Sequence, residues 1–170
     1  MKKEDTLKAL LDREALRDLP ARYCDCVWRN DIEGLVALFT PEGEFSMATA
    51  DRTWSAKGHR ELLDFYARGL AMTPRPFIHN VVVELGKKGH ATGRAYVELR
   101  SLRNGMEWLG TGSYVDTYEK HKGVWKFARR EFTALRMLDE PAEAVVKPVV
   151  KTRAAVRKKA ATKPRKRPKR

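Results

Sequence analysis

The chain lacks the raw material of several protein classes. It has only two cysteines in 170 residues, too few for a disulfide scaffold. Their i, i+2 placement as Cys24 and Cys26 points the two thiols to different sides of a helix, and two thiols alone make a poor zinc site. Both read as small, semi-buried residues of a reducing compartment. The longest apolar runs are only a few residues, so no membrane-spanning helix is expected. Met1-Lys2-Lys3-Glu4-Asp5 leads into a charged helix and not into the apolar stretch of a secretory signal, which predicts a cytoplasmic protein. No glycine-rich loop follows a strand, no Gly-x-Ser-x-Gly is present, and no histidine or carboxylate pair has metal-ligand spacing. Neither a cofactor nor a metal is expected.

Acidic residues are missing from one region in particular. Between Lys147 and Arg170 there are twelve Lys or Arg and no Asp or Glu. Subtracting these from the 35 basic residues leaves 23 against 22 acidic ones over residues 1–146, so nearly all of the +13 net charge belongs to the tail. The composition predicts a domain over 1–140 and a disordered Lys/Arg/Ala/Pro-rich tail over 141–170, which cannot bury enough apolar surface to offset its ordering entropy. Lys163, Arg165, Lys166, Arg167, Lys169 and Arg170 concentrate charge suited to non-specific contact with nucleic acid through counterion release, with nucleoid association as the cellular consequence. The tail has no aromatic residues, so base stacking is not indicated. The alternative is a tail that only solubilises.

The domain itself divides into helices first and strands second. Leu7, Leu10, Leu11, Leu16, Leu19, Tyr23 and Val27 recur at near-helical spacing over residues 5–29, with Pro20 expected to kink or split the helix. Asp31 is a candidate N-cap for a short helix carrying Leu35, Leu38 and Phe39. Thr40-Pro41-Glu42-Gly43 reads as a turn, residues 44–47 as a strand, and 48–57 as a loop carrying Trp54. Gly58 to about Leu70 reads as a third helix. Strands follow at 77–85, 91–102, 107–119 and 124–137, separated by Gly86-Lys87-Lys88-Gly89, Asn104-Gly105 and Lys120-His121-Lys122-Gly123. The fold class is α+β, with helices packed on one face of a curved antiparallel sheet.

Strict alternation in the first long strand puts Phe77, His79, Val81, Val83 and Leu85 on one face. His79 is then the single titratable group in an apolar row, and the leading candidate for acid–base chemistry; a buried histidine bonded to backbone is the alternative. His59, His90 and His121 read as exposed.

Arg22-Tyr23, Asp31, Leu38-Phe39-Thr40-Pro41, His79-Asn80-Val81-Val82-Val83, Gly112-Ser113-Tyr114-Val115-Asp116 and Trp125-Lys126-Phe127 occur in a familiar order. Over residues 7–138 the chain resembles the SnoaL-like branch of the nuclear transport factor 2-like superfamily. The resemblance implies a cone-like α+β barrel, a bent sheet wrapped around helices with an apolar pocket inside, and a homodimer formed through the sheet. Characterised members include polyketide cyclases, scytalone dehydratase, steroid isomerases and non-catalytic domains. In dehydratase-like members a strand histidine, matched here by His79, works with a helix aspartate in a pattern like Tyr-x-x-x-x-Asp-x-x-Asp. Tyr23 and Asp31 match that pattern, but Trp28 stands where the first aspartate belongs. Asp25, three residues earlier and on about the same helix face, is the candidate replacement partner for His79. Tyr23 is the candidate donor to a developing oxyanion.

Two readings follow. In one, the cone binds a small apolar molecule lined by Trp28, Trp54, Phe77, Trp108 and Tyr114, and His79, Asp25 and Tyr23 run a cofactor-independent lyase or isomerase reaction. In the other, the cone is a non-catalytic dimeric module tethered to nucleic acid by its tail.

Overall fold

A computed structural model describes residues 3–49, 52–69, 74–102 and 105–138. Helix α1 (Lys3–Arg29) is followed by α2 (Ile32–Ala37), β1 (Phe39–Ala48), β2 (Thr53–Lys57), α3 (Gly58–Gly69) and four long strands. These are β3 (Pro74–Leu85), β4 (His90–Ser101), β5 (Glu107–His121) and β6 (Val124–Met137). One six-stranded sheet has the order β2-β1-β6-β5-β4-β3. All neighbours are antiparallel except β1 and β6, which run parallel. The sheet is curved and open, and its inner face holds the helices. The expected α+β architecture is therefore the observed one.

Helix α1 is a single 27-residue helix, so Pro20 does not split it. The proline removes one backbone donor, but its ring is fully buried in the core, which offsets part of that loss. Only the second half of the apolar stripe is used. Leu16, Leu19, Tyr23 and Val27 are buried, while Leu7, Leu10 and Leu11 stay exposed. Asp12 anchors this helix to the far hairpin, its Oδ1 accepting from Lys120 Nζ and from Trp125 Nε1 (2.9 Å). Burial works to raise the Asp12 carboxyl, but the two hydrogen bonds and the Lys120 charge outweigh it and hold the group below its ordinary value.

Asp31 caps α2 as expected, its Oδ1 accepting from the Gly34 amide at 2.8 Å. Two segments differ from expectation. Residues 40–43 do not end the chain's extended path: β1 pairs with β6 at Phe39 and again from Glu44, and the intervening residues bow out of the ladder. The stretch expected as a loop around Trp54 contains an edge strand, β2, whose Trp54 faces Met47 of β1. It is five residues long and buries only Ala56, so it carries little apolar signal.

The inner rows of the long strands are apolar and alternate as read: Ala91, Gly93, Ala95, Val97 and Leu99 of β4 are all buried. Gly112 of β5 is required by close approach, since a Cβ there would lie 2.4 Å from the Phe132 ring. The turn Lys122-Gly123 has positive φ at both positions, the geometry of a tight two-residue hairpin. Asn104 and the whole of the basic tail lie outside the described residues.

Candidate functional site

The inner face of the sheet, α1 and α3 enclose a cavity of about 390 Å³. Its walls are almost entirely apolar, supplied by Val27, Phe45, Phe65, Leu99, Leu109 and Phe132. Three phenols interrupt them: Tyr23 from α1, Tyr66 from α3 and Tyr114 from β5. The Tyr23 and Tyr66 hydroxyls are 3.2 Å apart and hydrogen-bonded to each other. One donates and the other accepts, so one hydroxyl hydrogen of the pair stays uncommitted. Tyr23 also makes edge contacts with Tyr66, Tyr114 and Phe127, with centroids about 6 Å apart. Burial pushes all three phenols above the ordinary tyrosine range, so they remain neutral donors at physiological pH.

Behind two of these phenols lies an ion pair with no solvent exposure. Arg130 of β6 and Asp116 of β5 are direct partners across the ladder, with Nε and Oδ1 3.7 Å apart. The guanidinium carbon stands 3.7 Å from the Tyr114 ring centre, 4.3 Å from that of Tyr23 and 4.7 Å from that of Phe127. Asp116 Oδ2 accepts from the Tyr118 hydroxyl at 3.0 Å. Among the described residues, Arg130 Nε, Nη1 and Nη2 and Asp116 Oδ1 make no hydrogen bond. The guanidinium is held by aromatic faces and Coulomb attraction, not by a hydrogen-bonded fork. Burial works against the Arg130 charge, but Asp116 outweighs it and the guanidinium stays protonated. Burial lifts the Asp116 carboxyl above the usual carboxylate range, opposed by Arg130 and by the Tyr118 hydrogen bond. Burial likewise pushes the nearby Cys24 thiol up to about 11.

The structure brings only part of the expected site together. Tyr23 and Tyr114 line the cavity; the other expected residues do not. His79 lies on the outer face of the sheet. Asn80 is a bulge residue with φ +45°, and the pairing slips by one residue between His79–Tyr96 and Val82–Arg94. Past the bulge Val81, Val83 and Leu85 pack against the core as read. Before it the phase inverts, so Pro76 and Ile78 turn inward while Phe77 and His79 turn out. Asp25 is exposed on α1 and pairs with Arg29 at 2.8 Å. The expected Asp25–His79 dyad is therefore not formed.

The tryptophans are also outside. Trp28 Nε1 donates to the Pro76 carbonyl at 2.9 Å, its ring meets Phe77 edge-on and Arg75 stands 5.9 Å above it. It clips α1 to β3. Trp54 is on the edge strand, and Trp108 lies under the Arg136 guanidinium at 5.4 Å. His90 is exposed, while His59 is half-buried and its Nε2 donates to the Phe39 carbonyl at 3.2 Å. Cys24 and Cys26 are buried free thiols. Among the described residues, no cluster of three His, Cys, Asp or Glu is placed to hold a metal ion, and no helix is long and apolar enough to cross a membrane.

A curved open sheet packed on a helix around an apolar interior cavity defines the class, an α+β cone. Residues 8–131 match the model of the SnoaL-like domain, and the chain belongs to that family. Among solved structures it is similar to a nuclear transport factor 2-like protein with a cystatin-like fold from Novosphingobium aromaticivorans (25% identity, 78% of this chain and 87% of that one, TM-score 0.68). It is also similar to Rv3472 from Mycobacterium tuberculosis, a protein of unknown function (26% identity, 85% and 83%, TM-score 0.68). A scytalone dehydratase-like protein from N. aromaticivorans shares the fold (23% identity, 87% and 99%, TM-score 0.68). No curated protein matches the sequence.

Proposed function

We propose that the protein binds a small, mostly apolar molecule in the cone, oriented by one oxygen that accepts a hydrogen bond from the tyrosines. The observation that carries this reading is the convergence of Tyr23, Tyr66 and Tyr114 on an otherwise apolar cavity of about 390 Å³. That volume falls in the usual range for small-molecule sites, roughly 300–1,000 Å³, and the ratio of many apolar walls to few polar groups is typical of them. Similarity to a scytalone dehydratase-like protein supports lyase or isomerase chemistry as the class to screen. Phenols that stay neutral can polarise a carbonyl oxygen, which is the part of such a reaction these residues suit. His79 on the outer face and Asp25 paired with Arg29 are not placed to supply a base, so the reading does not depend on them.

Calorimetric titration with a panel of small apolar ketones and phenols tests this. Leu99→Trp and Leu109→Trp should each fill the cavity and weaken binding at least tenfold. Unchanged affinity in both folded variants would place the ligand elsewhere and end the reading.

A second reading concerns the tail, which lies outside the described residues. The twelve basic and no acidic residues of its 147–170 portion support non-specific attachment to nucleic acid, independent of the cavity. Retention on DNA should fall steeply with salt and disappear on truncation after Ala144. Retention that survives truncation rules the tether out.

A further inference from the structure

We propose that the cavity selects ligands whose acidic oxygen is bound as the anion, such as an aromatic phenol or enol, because Arg130 places a positive charge directly behind Tyr114 and Tyr23. This deepens the binding reading above and rests on it. Arg130 is fully buried and its nitrogens make no hydrogen bond among the described residues. Its charge lies against the outer sides of two cavity walls, 3.7 Å and 4.3 Å from the ring centres. The counter-charge is placed differently. Asp116, which like Arg130 does not line the cavity, is tied to Tyr118, whereas Arg130 stands on the rings of two residues that do line it. The pair is therefore oriented, with its positive end toward the ligand. A cation on the face of a phenol also draws electron density from the ring and makes the hydroxyl a stronger donor to an anion.

An apolar cavity without this charge would do the opposite. Desolvation disfavours the charged form of a ligand as it does that of a side chain, and would raise a bound phenol's pKa. The sign of the shift thus separates the two cases. The titratable groups that line the cavity are Tyr23 from α1, Tyr66 from α3 and Tyr114 from β5; behind them, and not in the lining, lie Cys24 from α1, Asp116 and Tyr118 from β5, and Arg130 from β6. β1, β3 and β4 contribute Phe45, Met47, Pro74, Pro76 and Leu99, none of which titrates.

The test uses the full chain with 4-nitrophenol, whose neutral and ionised forms absorb differently, and nitrobenzene as the uncharged match. Bound 4-nitrophenol should titrate at least about one pKa unit below the free compound, a tenfold preference for the anion. Tyr114→Phe should weaken 4-nitrophenolate severalfold more than it weakens nitrobenzene, whose nitro oxygens are weaker acceptors. Arg130→Met should abolish the shift; if that variant does not fold, the sign in the unaltered protein still decides. Nitrobenzene binding together with an unshifted or raised 4-nitrophenol pKa overturns this inference and leaves the binding reading intact. If neither compound binds, both fall.

Discussion

One extra residue in β3 and the first of two in β6 have opposite consequences. In β3, Asn80 slips the ladder and turns His79 out to the solvent side opposite Tyr96. In β6, Ala128 slips it between the Tyr118–Phe127 and Thr117–Arg129 pairs and turns Arg130 inward, opposite Asp116. A histidine turned out remains hydrated and demands nothing of its surroundings. An arginine turned in must be given a counter-charge and aromatic faces, because an unpaired buried charge costs several kcal/mol. The difference locates the protein's commitment. The group that looks chemical in the linear sequence sits where its removal is cheap, and the group that looks like surface charge sits where the structure has to be arranged around it.

The strongest way to break this comparison is to remove one partner of the inner pair. Asp116→Asn should lower unfolding free energy by about 3–5 kcal/mol, since Arg130 cannot shed its proton. Arg130→Met should cost less, because the stranded Asp116 can neutralise itself by taking a proton. Urea denaturation measures both. The sign with pH follows from the raised Asp116 value. A carboxyl whose folded pKa is raised contributes stability that is fully present below its unfolded pKa and is lost as pH rises through the folded one. Arg130→Met should therefore exaggerate that loss, with the variant most stable relative to the parent below the unfolded carboxyl pKa of about 3.9. Equal costs for the two variants at all pH values would mean that the pair is solvated and the core reading is wrong.

Alternation alone locates most of this fold. Ala91 through Leu99, Tyr114 and Asp116, and the glycine-bearing turns behave as a period of two requires, because those segments run without interruption. It fails where one residue is inserted. From Val81 to Leu85 the inward set is read correctly, but carrying the phase backward through Asn80 puts His79 on the wrong face. The clue was Asn80 itself, since asparagine is one of the few residues that tolerates positive φ. Arg130 escapes notice for the converse reason: carried forward from Phe127, the phase points Arg129 inward, whereas counted back from Phe132 it points Arg130 inward. An aspartate between inward Tyr114 and Tyr118 was the available signal, because it requires a cation from the adjacent strand. Tyr66 is one apolar-face residue among several on α3 in the sequence, and only the folded chain shows its hydroxyl meeting that of Tyr23. Trp28, Trp54 and Trp108 were drawn toward the pocket by their size, yet none of them lines the cavity.

Substitution at the β3 bulge sharpens the same contrast at smaller scale. Asn80→Val should destabilise by about 1–2 kcal/mol, the cost of forcing a β-branched side chain into left-handed backbone. Asn80→Gly should be neutral to within about 0.5 kcal/mol, because glycine adopts φ +45° without a steric penalty. Thermal unfolding of the two variants reads the difference directly. If both are neutral, the bulge is not a fixed element and His79 is free to change faces.

Within the cavity, Tyr114→Phe removes one donor and little volume. It should weaken an oxygen-bearing ligand by about 0.5–1.5 kcal/mol, or roughly two- to twelvefold, with little change in urea midpoint because the ring that covers Arg130 remains. Calorimetry on the same ligand panel separates this from Tyr23→Phe. The latter also removes the bond to Tyr66 and should shift stability as well as affinity.

The smallest expected effect is the most discriminating. His79 is exposed, so His79→Ala should change stability by no more than about 0.5 kcal/mol. It should also leave affinity for any cavity ligand unaltered. The outer position predicts further that ligand binding is insensitive to pH across the range where a histidine titrates, since no imidazole faces the cavity among the described residues. A ligand whose own charge is constant, such as nitrobenzene, isolates that point when its affinity is measured from pH 5.5 to 8. A tenfold change over that interval, abolished by His79→Ala, would mean that β3 rearranges on binding and brings the histidine to the inner face. The two bulges would then differ in kind, one a fixed feature of the core and the other a switch.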